Sequence, residues 1–280
     1  MRAKKKLPVT IIGAGAVGSA LALALWKKKY PIRVVLSKNG RSAKTVGQSV
    51  HAPHARLQAV KHFIAEGMIF IIVPDDEIKS VVLLLSRRCK DFSRSIVFHT
   101  SGALSSKLLS LVKRKGATVG SFHPVQTFTK SDNTSQRLQN IWIGIEGDKK
   151  AIAAGEKIAH DVGAWPFVLS SEQKALYHIA AVFSSNYIVT LLSIVEELGK
   201  RIHLSRRKTI SIFEPLILQS FENVKKYSAA SALTGPIARG DVHTLKRHRY
   251  ELKKRSMDHI IHLYSTLAME TSRLASKKVS

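Results

Sequence analysis

Lys174 and His178 stand four residues apart in a stretch free of Gly and Pro, so they share one face of a helix. Ser185 falls on that face two turns later, and Asn186 lies one residue round. An ammonium, an imidazole and an amide that converge on one point can polarise a carbonyl, supply the proton that accompanies a hydride, and orient the substrate. Lys174, His178 and Asn186 are therefore the candidate catalytic residues. Two more imidazoles follow short β-branched runs, in His99-Thr100-Ser101-Gly102 and Ser121-Phe122-His123-Pro124. His123 and Ser101 are candidate substrate contacts, while Thr100 and Gly102 can offer a hydroxyl and a backbone amide to a bound cofactor. Arg239, in Thr234-Gly235-Pro236-Ile237-Ala238-Arg239-Gly240-Asp241, can clamp a carboxylate bidentately. Taken singly, each has a plainer reading: His99 as a packed strand histidine, Lys174 and Arg239 as solvated cations.

These residues need a scaffold, and the first thirty residues suggest two. Leu7–Trp26 is a run of twenty uncharged residues behind Arg2 and Lys4–Lys6, the outline of an export signal or membrane anchor. The same run carries Gly13, Gly15 and Gly18 as G-x-G-x-x-G between a strand-like and a helix-like segment, the outline of a dinucleotide site. In that second reading Gly13 makes the turn, Gly15 lets backbone approach a pyrophosphate, and Gly18 packs helix on strand. Ala16 and Val17 add free N–H groups at the helix N-terminus. An export signal gives the glycines no task.

The rest of the chain favours the second reading. Strand patterns at Val9–Ile12, Ile32–Leu36, Met68–Val73, Ser95–His99, Thr118–Phe122, Ile141–Ile145 and Trp165–Leu169 alternate with helical ones at Val17–Lys28, Asp75–Arg87, Leu104–Lys115 and Ala151–Val162. Most of the strands lack polar alternation, as when both faces of a parallel sheet are covered. The expected fold is α/β: a doubly wound Rossmann sheet over 1–169, then an all-helical domain over 170–280. Helices are expected at Glu172–Leu198, Leu204–Tyr227 (kinked or split at Pro215), Val242–Lys254 and Asp258–Lys277.

The second strand leads to Ser37, nineteen residues past Gly18, where an NAD site usually has a carboxylate for the ribose. A hydroxyl there, with Lys38 and Arg41 beside it, suits the 2′-phosphate of NADP. Val73-Pro74-Asp75 lies at the carboxyl edge of the next strand, with Asp75 read as the cap of the following helix and the backbone as a cofactor contact.

Composition sets limits. Cys89 is the only cysteine, so no intrachain disulfide can form, and its plain reading is a small buried apolar residue. Ala175–Val195 carries His178, Asn186 and several hydroxyls, which suits a buried helix better than a membrane span. The net charge of +26 is spread along the chain and reads as a solvated basic surface that attracts anionic cofactors and substrates. His259 and His262 have no third ligand in view, so no metal site is expected. A cytoplasmic protein that binds neither membrane nor nucleic acid is the expectation.

The motifs HTSGAL, GSFHPVQTF, IEGD, KALYHIAAVFSSNY and ALTGPIARGD lie between His99 and Asp241. They resemble those of proteins that join a Rossmann-like domain to a C-terminal domain of the DUF2520 type. Such proteins are similar to ketopantoate reductase, pyrroline-5-carboxylate reductase and the β-hydroxyacid dehydrogenases, whose helical half is like that of 6-phosphogluconate dehydrogenase. The resemblance implies an NADP-linked oxidoreductase for a small anionic substrate, with ketopantoate as the first candidate, and a homodimer formed through the helical domain. In β-hydroxyacid dehydrogenases a Lys and an Asn four residues on line the site; Lys174 matches the Lys, but His178 stands in place of that Asn, leaving Asn186 as the candidate amide. Imine reduction, a deazaflavin partner, and a non-catalytic NADP- or nucleic-acid-binding module are the alternatives.

Overall fold

Short apolar runs buried on both faces organise the first part of the chain. In a computed structural model that describes residues 6–129 and 135–277, two compact units divide after Asn186 rather than after Leu169, so the first unit takes a helix with it. Its elements are β1 (Val9–Ile12), α1 (Ala16–Lys27), β2 (Ile32–Ser37), α2 (Arg41–Ser49), β3 (His54–Arg56), β4 (Gly67–Ile71), α3 (Asp75–Arg88), β5 (Ser95–His99), α4 (Ser110–Lys113), β6 (Thr118–Pro124), β7 (Trp142–Gly147), α5 (Lys149–Val162), β8 (Trp165–Val168) and α6 (Lys174–Ser184). The strands form one sheet in the order β3-β2-β1-β4-β5-β6-β7-β8, parallel except where β7 runs against β6. The order 3-2-1-4-5-6 is that of a Rossmann fold.

The two-residue period of a strand sends neighbours to opposite faces. Val9, Ile11, Met68 and Phe70 join one core with Leu21 and Leu25 of α1 and Ile158 and Val162 of α5. Ile12, Ile69 and Ile71 join the other with Ile78, Val82 and Leu85 of α3. Phe70, Phe98 and Phe122 on β4, β5 and β6 pack as a ring cluster, Phe70 stacked on Phe98 at 5.1 Å and Phe122 edge-on to both. The apolar run Leu7–Trp26 is thus mostly β1, a buried interior strand, and α1, which packs on the sheet. Lys6 donates to the Lys28 carbonyl and lies over the Tyr30 ring. Arg2, Lys4 and Lys5 lie outside the described residues.

Several expectations change. Residues 104–115 are not one helix: a 3-10 turn, Ser106–Leu109, precedes the short α4, because Ser106 gives its N–H and hydroxyl to Glu146. The polar α2 and the three-residue edge strand β3 carry too little apolar pattern to be read from sequence. Cys89 is half-buried, its thiol donating to the Asp91 carbonyl.

The second unit is helical: α7 (Asn186–Arg201, opening at the division), α8 (Arg206–Lys226), α9 (Ala229–Ala232), α10 (Val242–Lys254) and α11 (Asp258–Ser276). The expected helix Glu172–Leu198 is broken at Ser185, so α6 and α7 are separate. By length and composition 174–201 could cross a membrane, and none of its apolar window is buried, contrary to the buried helix expected there; a single such helix does not establish a span. Pro215 sits inside α8 without ending it. Asp241 caps α10, accepting from the Thr244 N–H and hydroxyl. His259 and His262 are exposed, and His259 pairs with Glu197. Among the described residues no three His, Cys, Asp or Glu group as metal ligands do.

The glycine turn is sterically closed at two points. Gly13 has φ +104°, and a Cβ there would stand 1.8 Å from the Ile72 carbonyl oxygen; one on Gly18 would stand 1.9 Å from that of Gly13. Space is open at Gly15. Thermal unfolding should show Gly18→Ala destabilised by about 2–3 kcal/mol through overpacking, with Gly15→Ala within about 1 kcal/mol of the native chain. Equal losses for the two variants would contradict this account of the turn.

Candidate active site

Strand order reverses between β1 and β4, and their carboxyl ends border a crevice of the kind that holds ligands in doubly wound sheets. Gly13 donates its N–H to the Leu36 carbonyl, and the chain turns through an exposed Gly15 into the Ala16, Val17 and Gly18 start of α1. The first N–H groups of a helix have no acceptor within it and carry partial positive charge. Beside this turn is a cavity of about 290 Å³ bordered by Gly13, Ser37, Lys38, Val73 and Glu77. Ser37 is buried, and its hydroxyl accepts from the Ala43 N–H of α2. Lys38 bonds Glu77 at 2.7 Å, which holds the ammonium's pKa above its ordinary value. Arg41 is exposed at the start of α2.

Asp75 corrects one expectation. It is the first residue of α3, not its cap; Pro74 precedes it in extended conformation, without a side-chain cap bond. The Asp75 carboxylate instead accepts from the Ser101 hydroxyl at 2.7 Å, and Ser101 Oγ accepts from the Leu104 N–H. This fixes the Thr100-Ser101-Gly102 loop after β5.

Behind that loop lies a buried polar cluster. Lys174 is 1% exposed; Nζ donates to the Ser101 carbonyl and to Ser121 Oγ, both at 2.8 Å. Ser121 passes the chain on to Glu146 at 3.2 Å. Glu146, 3% exposed, also accepts from the Ser106 N–H and hydroxyl and from the Ser171 hydroxyl. Burial pushes the Lys174 pKa down to about 8, against the opposing pull of Glu146 and Asp75. His99, fully buried at the end of β5, accepts from the Ser101 N–H on Nδ1. Its Nε2 has no partner of good geometry, the Ser105 carbonyl being the nearby group that favours a proton.

At the end of β6 a separate cavity of about 550 Å³ is bordered by His123, Gln126, Thr127, Tyr177, His178 and Asn186. His123 Nδ1 and the Tyr177 hydroxyl are 2.5 Å apart, and the His178 ring centre is 6.0 Å from that of His123. Gly102 is wedged against both imidazoles: a Cβ there would lie 2.4 Å from His178 Cδ2 and 2.8 Å from His123 Nε2. Burial, then the Lys174 charge, hold His123 down to about 4, with smaller contributions from His178 and His99. Burial raises Tyr177 to about 12.

His123, His178 and Asn186 thus meet at one cavity, while Lys174 faces inward on the buried cluster. Arg239 is exposed in the second unit, on the loop that ends at Asp241. Sequence reasoning passed over Tyr177 and Glu146. Tyr177 sits between Lys174 and His178, hidden as an ordinary aromatic; Glu146, a carboxylate at the end of an apolar strand, reads as an ordinary strand end.

Residues 2–124 match the sequence profile of the Rossmann-like domain, and residues 141–271 that of the domain of unknown function DUF2520. The two matches together cover most of the chain. No curated protein sequence matches it. A Bacteroides fragilis protein provisionally described as an NADP oxidoreductase shares 23% identity and a TM-score of 0.79, over 96% of this chain and 99% of its own. Protein TM1727 from Thermotoga maritima shares 26% and 0.73, over 97% and 100%. An imine reductase from Myxococcus stipitatus, solved with NADP+, shares 15% and 0.68, over 98% and 100%. The oxidoreductases share the fold.

The two depressed histidines fix the direction of a pH effect. Between pH 6.5 and about 4 the unfolded chain takes up protons at His99 and His123 and the folded chain does not. Their contribution to stability is present above pH 6.5 and is lost as pH falls towards 4, by up to about 3 kcal/mol for each. Thermal melts across this range should show a shallower dependence on pH for His99→Asn than for the native chain; parallel slopes would refute the assignment.

Proposed function

We propose that the chain is an NADP(H)-dependent oxidoreductase acting on a small anionic substrate, a cytoplasmic enzyme in which hydride passes from the nicotinamide to a carbon in the β6 cavity. The observation that carries this reading is the G-x-G-x-x-G turn at the point where strand order reverses, beside a cavity bordered by Ser37 and Lys38 instead of a carboxylate. Gly13–Gly18 at the α1 N-terminus would hold the pyrophosphate, and Ser37, Lys38 and Arg41 would meet the 2′-phosphate. A phosphate competes well for Lys38, because its pairing with Glu77 is solvent-exposed and easily exchanged. Val73, Pro74, Thr100 and Gly102 line the path towards the nicotinamide. The NADP+-bound imine reductase and the Bacteroides fragilis protein lend this reading the support of a common fold.

For the substrate, the basic chain favours an anion, and a keto acid such as ketopantoate is the first candidate. His178 and Asn186 orient it, with His123 and Ser101 lending the β5 and β6 ends. Lys174 supplies positive potential from behind the β5 loop. A second reading, imine reduction, is favoured by the burial of Lys174: its ammonium is committed to Ser101 and Ser121, and a protonated imine needs no acid.

We also propose that the protein acts as a homodimer through its helical unit. Among the described residues that unit buries only Leu252, Met257 and Ile260 as a core cluster, while Ile188, Val189, Leu216, Leu218, Phe221 and Met269 are exposed. Apolar exposure on this scale marks an interaction surface. Sedimentation equilibrium should give twice the 31.0 kDa chain mass, and a charge at Phe221 or Leu218 should shift it to the monomer; a monomeric native protein rejects the dimer.

Cofactor choice is tested by fluorescence titration. NADPH should bind at least about tenfold more tightly than NADH, and Lys38→Glu should remove most of that difference, each tenfold being one decade in Kd. Equal affinity for the two in the native protein would overturn the NADP reading. Oxidation of NADPH across a panel of keto acids and cyclic imines then tests the reaction class.

A further inference from the structure

Tyr177 borders the β6 cavity and carries an exchangeable proton; Lys174 does not border it. Lys174 is 1% exposed, has two of its protons on internal acceptors, and does not border that cavity. Tyr177 and His123 both border it, and their heteroatoms are 2.5 Å apart. The phenol ring is held in place by edge-on packing against Phe167 at 5.6 Å and against His123 at 5.5 Å. The β5 loop closes on the same pair, since Gly102 admits no side chain beside His123. We propose that Tyr177, positioned by His123, is the general acid of the reaction, and that the substrate is a carbonyl compound and not a protonated imine.

This rests on the oxidoreductase reading. The step balances as follows. Hydride leaves the nicotinamide and bonds to the carbonyl carbon, and the π pair of the C=O bond moves to oxygen. That oxygen takes the Tyr177 proton, giving an alcohol, NADP+ and a phenolate. His123, in the tautomer with its proton on Nδ1, donates to the phenolate oxygen and stabilises it until solvent returns a proton after product leaves. The neutral imidazole suits this role, and the Lys174 charge behind it helps to keep it neutral. A phenol held at about 12 is still a stronger acid than the alcohol it forms. A protonated imine accepts hydride to give a neutral amine and needs no such donor, whereas a carbonyl cannot accept hydride productively without one.

The test compares native protein, Tyr177→Phe and His123→Asn, with NADPH and matched panels of keto acids and cyclic imines. Tyr177→Phe keeps the ring packing, so its melting temperature and NADPH affinity should hold. Its kcat on the best keto acid should fall by about 10²–10⁴-fold, the range for loss of general acid catalysis, with KM changed by less than about threefold. His123→Asn should fall by a smaller factor and reduce the solvent deuterium isotope effect on kcat. An active native protein whose Tyr177→Phe variant keeps its kcat overturns the proton donor and leaves the oxidoreductase reading standing. Turnover of imines alone overturns the carbonyl assignment. Tight NADPH binding with no turnover of either panel overturns the reaction class and the donor together.

Discussion

A buried ammonium must be surrounded by acceptors, and the acceptors that Lys174 finds hold the first unit's functional edge together. The Ser101 carbonyl comes from the loop after β5, Ser121 from β6, and Glu146, reached through Ser121, from β7. Glu146 in turn fixes Ser106 and Ser171. Removing a charge from water costs several kcal/mol unless such partners are in place, so the cluster holds these segments in one arrangement. Burial, and after it the same charge, lowers the proton affinity of His99 and His123.

The carboxyl edge of the sheet divides its tasks. At β1 and β4 the important atoms are backbone, and glycine is required because a side chain would strike a carbonyl oxygen. At β5 and β6 they are side chains, and Gly102 is required for the opposite reason, to leave room for two imidazoles. A phosphate-binding end needs N–H groups free of obstruction; an end that moves protons needs heteroatoms held at fixed distances. Asp75 connects the two, at the head of α3 and bonded to the β5 loop.

The elements read most closely from sequence were β1, β5 and α10, each a run with a clear period and clear ends. The short polar α2 and β3 escaped because β3 exists only by pairing with β2, as Val35 with His54 shows. Leu104–Lys115 has helical periodicity, yet its first turn is drawn towards a carboxylate forty residues away in sequence. At the site, Gly13, Gly15, Gly18, Lys174, His178 and His123 were visible because residue type and spacing announce them. Tyr177 and Glu146 were not, since an aromatic in a helix and an acid in a strand have commonplace explanations.

By itself the sequence determined what depends on near neighbours: the buried strands, the glycine turn, the break between a sheet half and a helical half. These follow from local periodicity and from steric limits within a few residues. Only the tertiary structure decided that Asp75 bonds Ser101 instead of capping its helix, that Lys174 turns inward, and that Tyr177 meets His123. Those contacts join residues 26, 73 and 54 positions apart. They exist because the order of strands brings β5, β6 and β7 side by side, an order that no local stretch of the chain encodes.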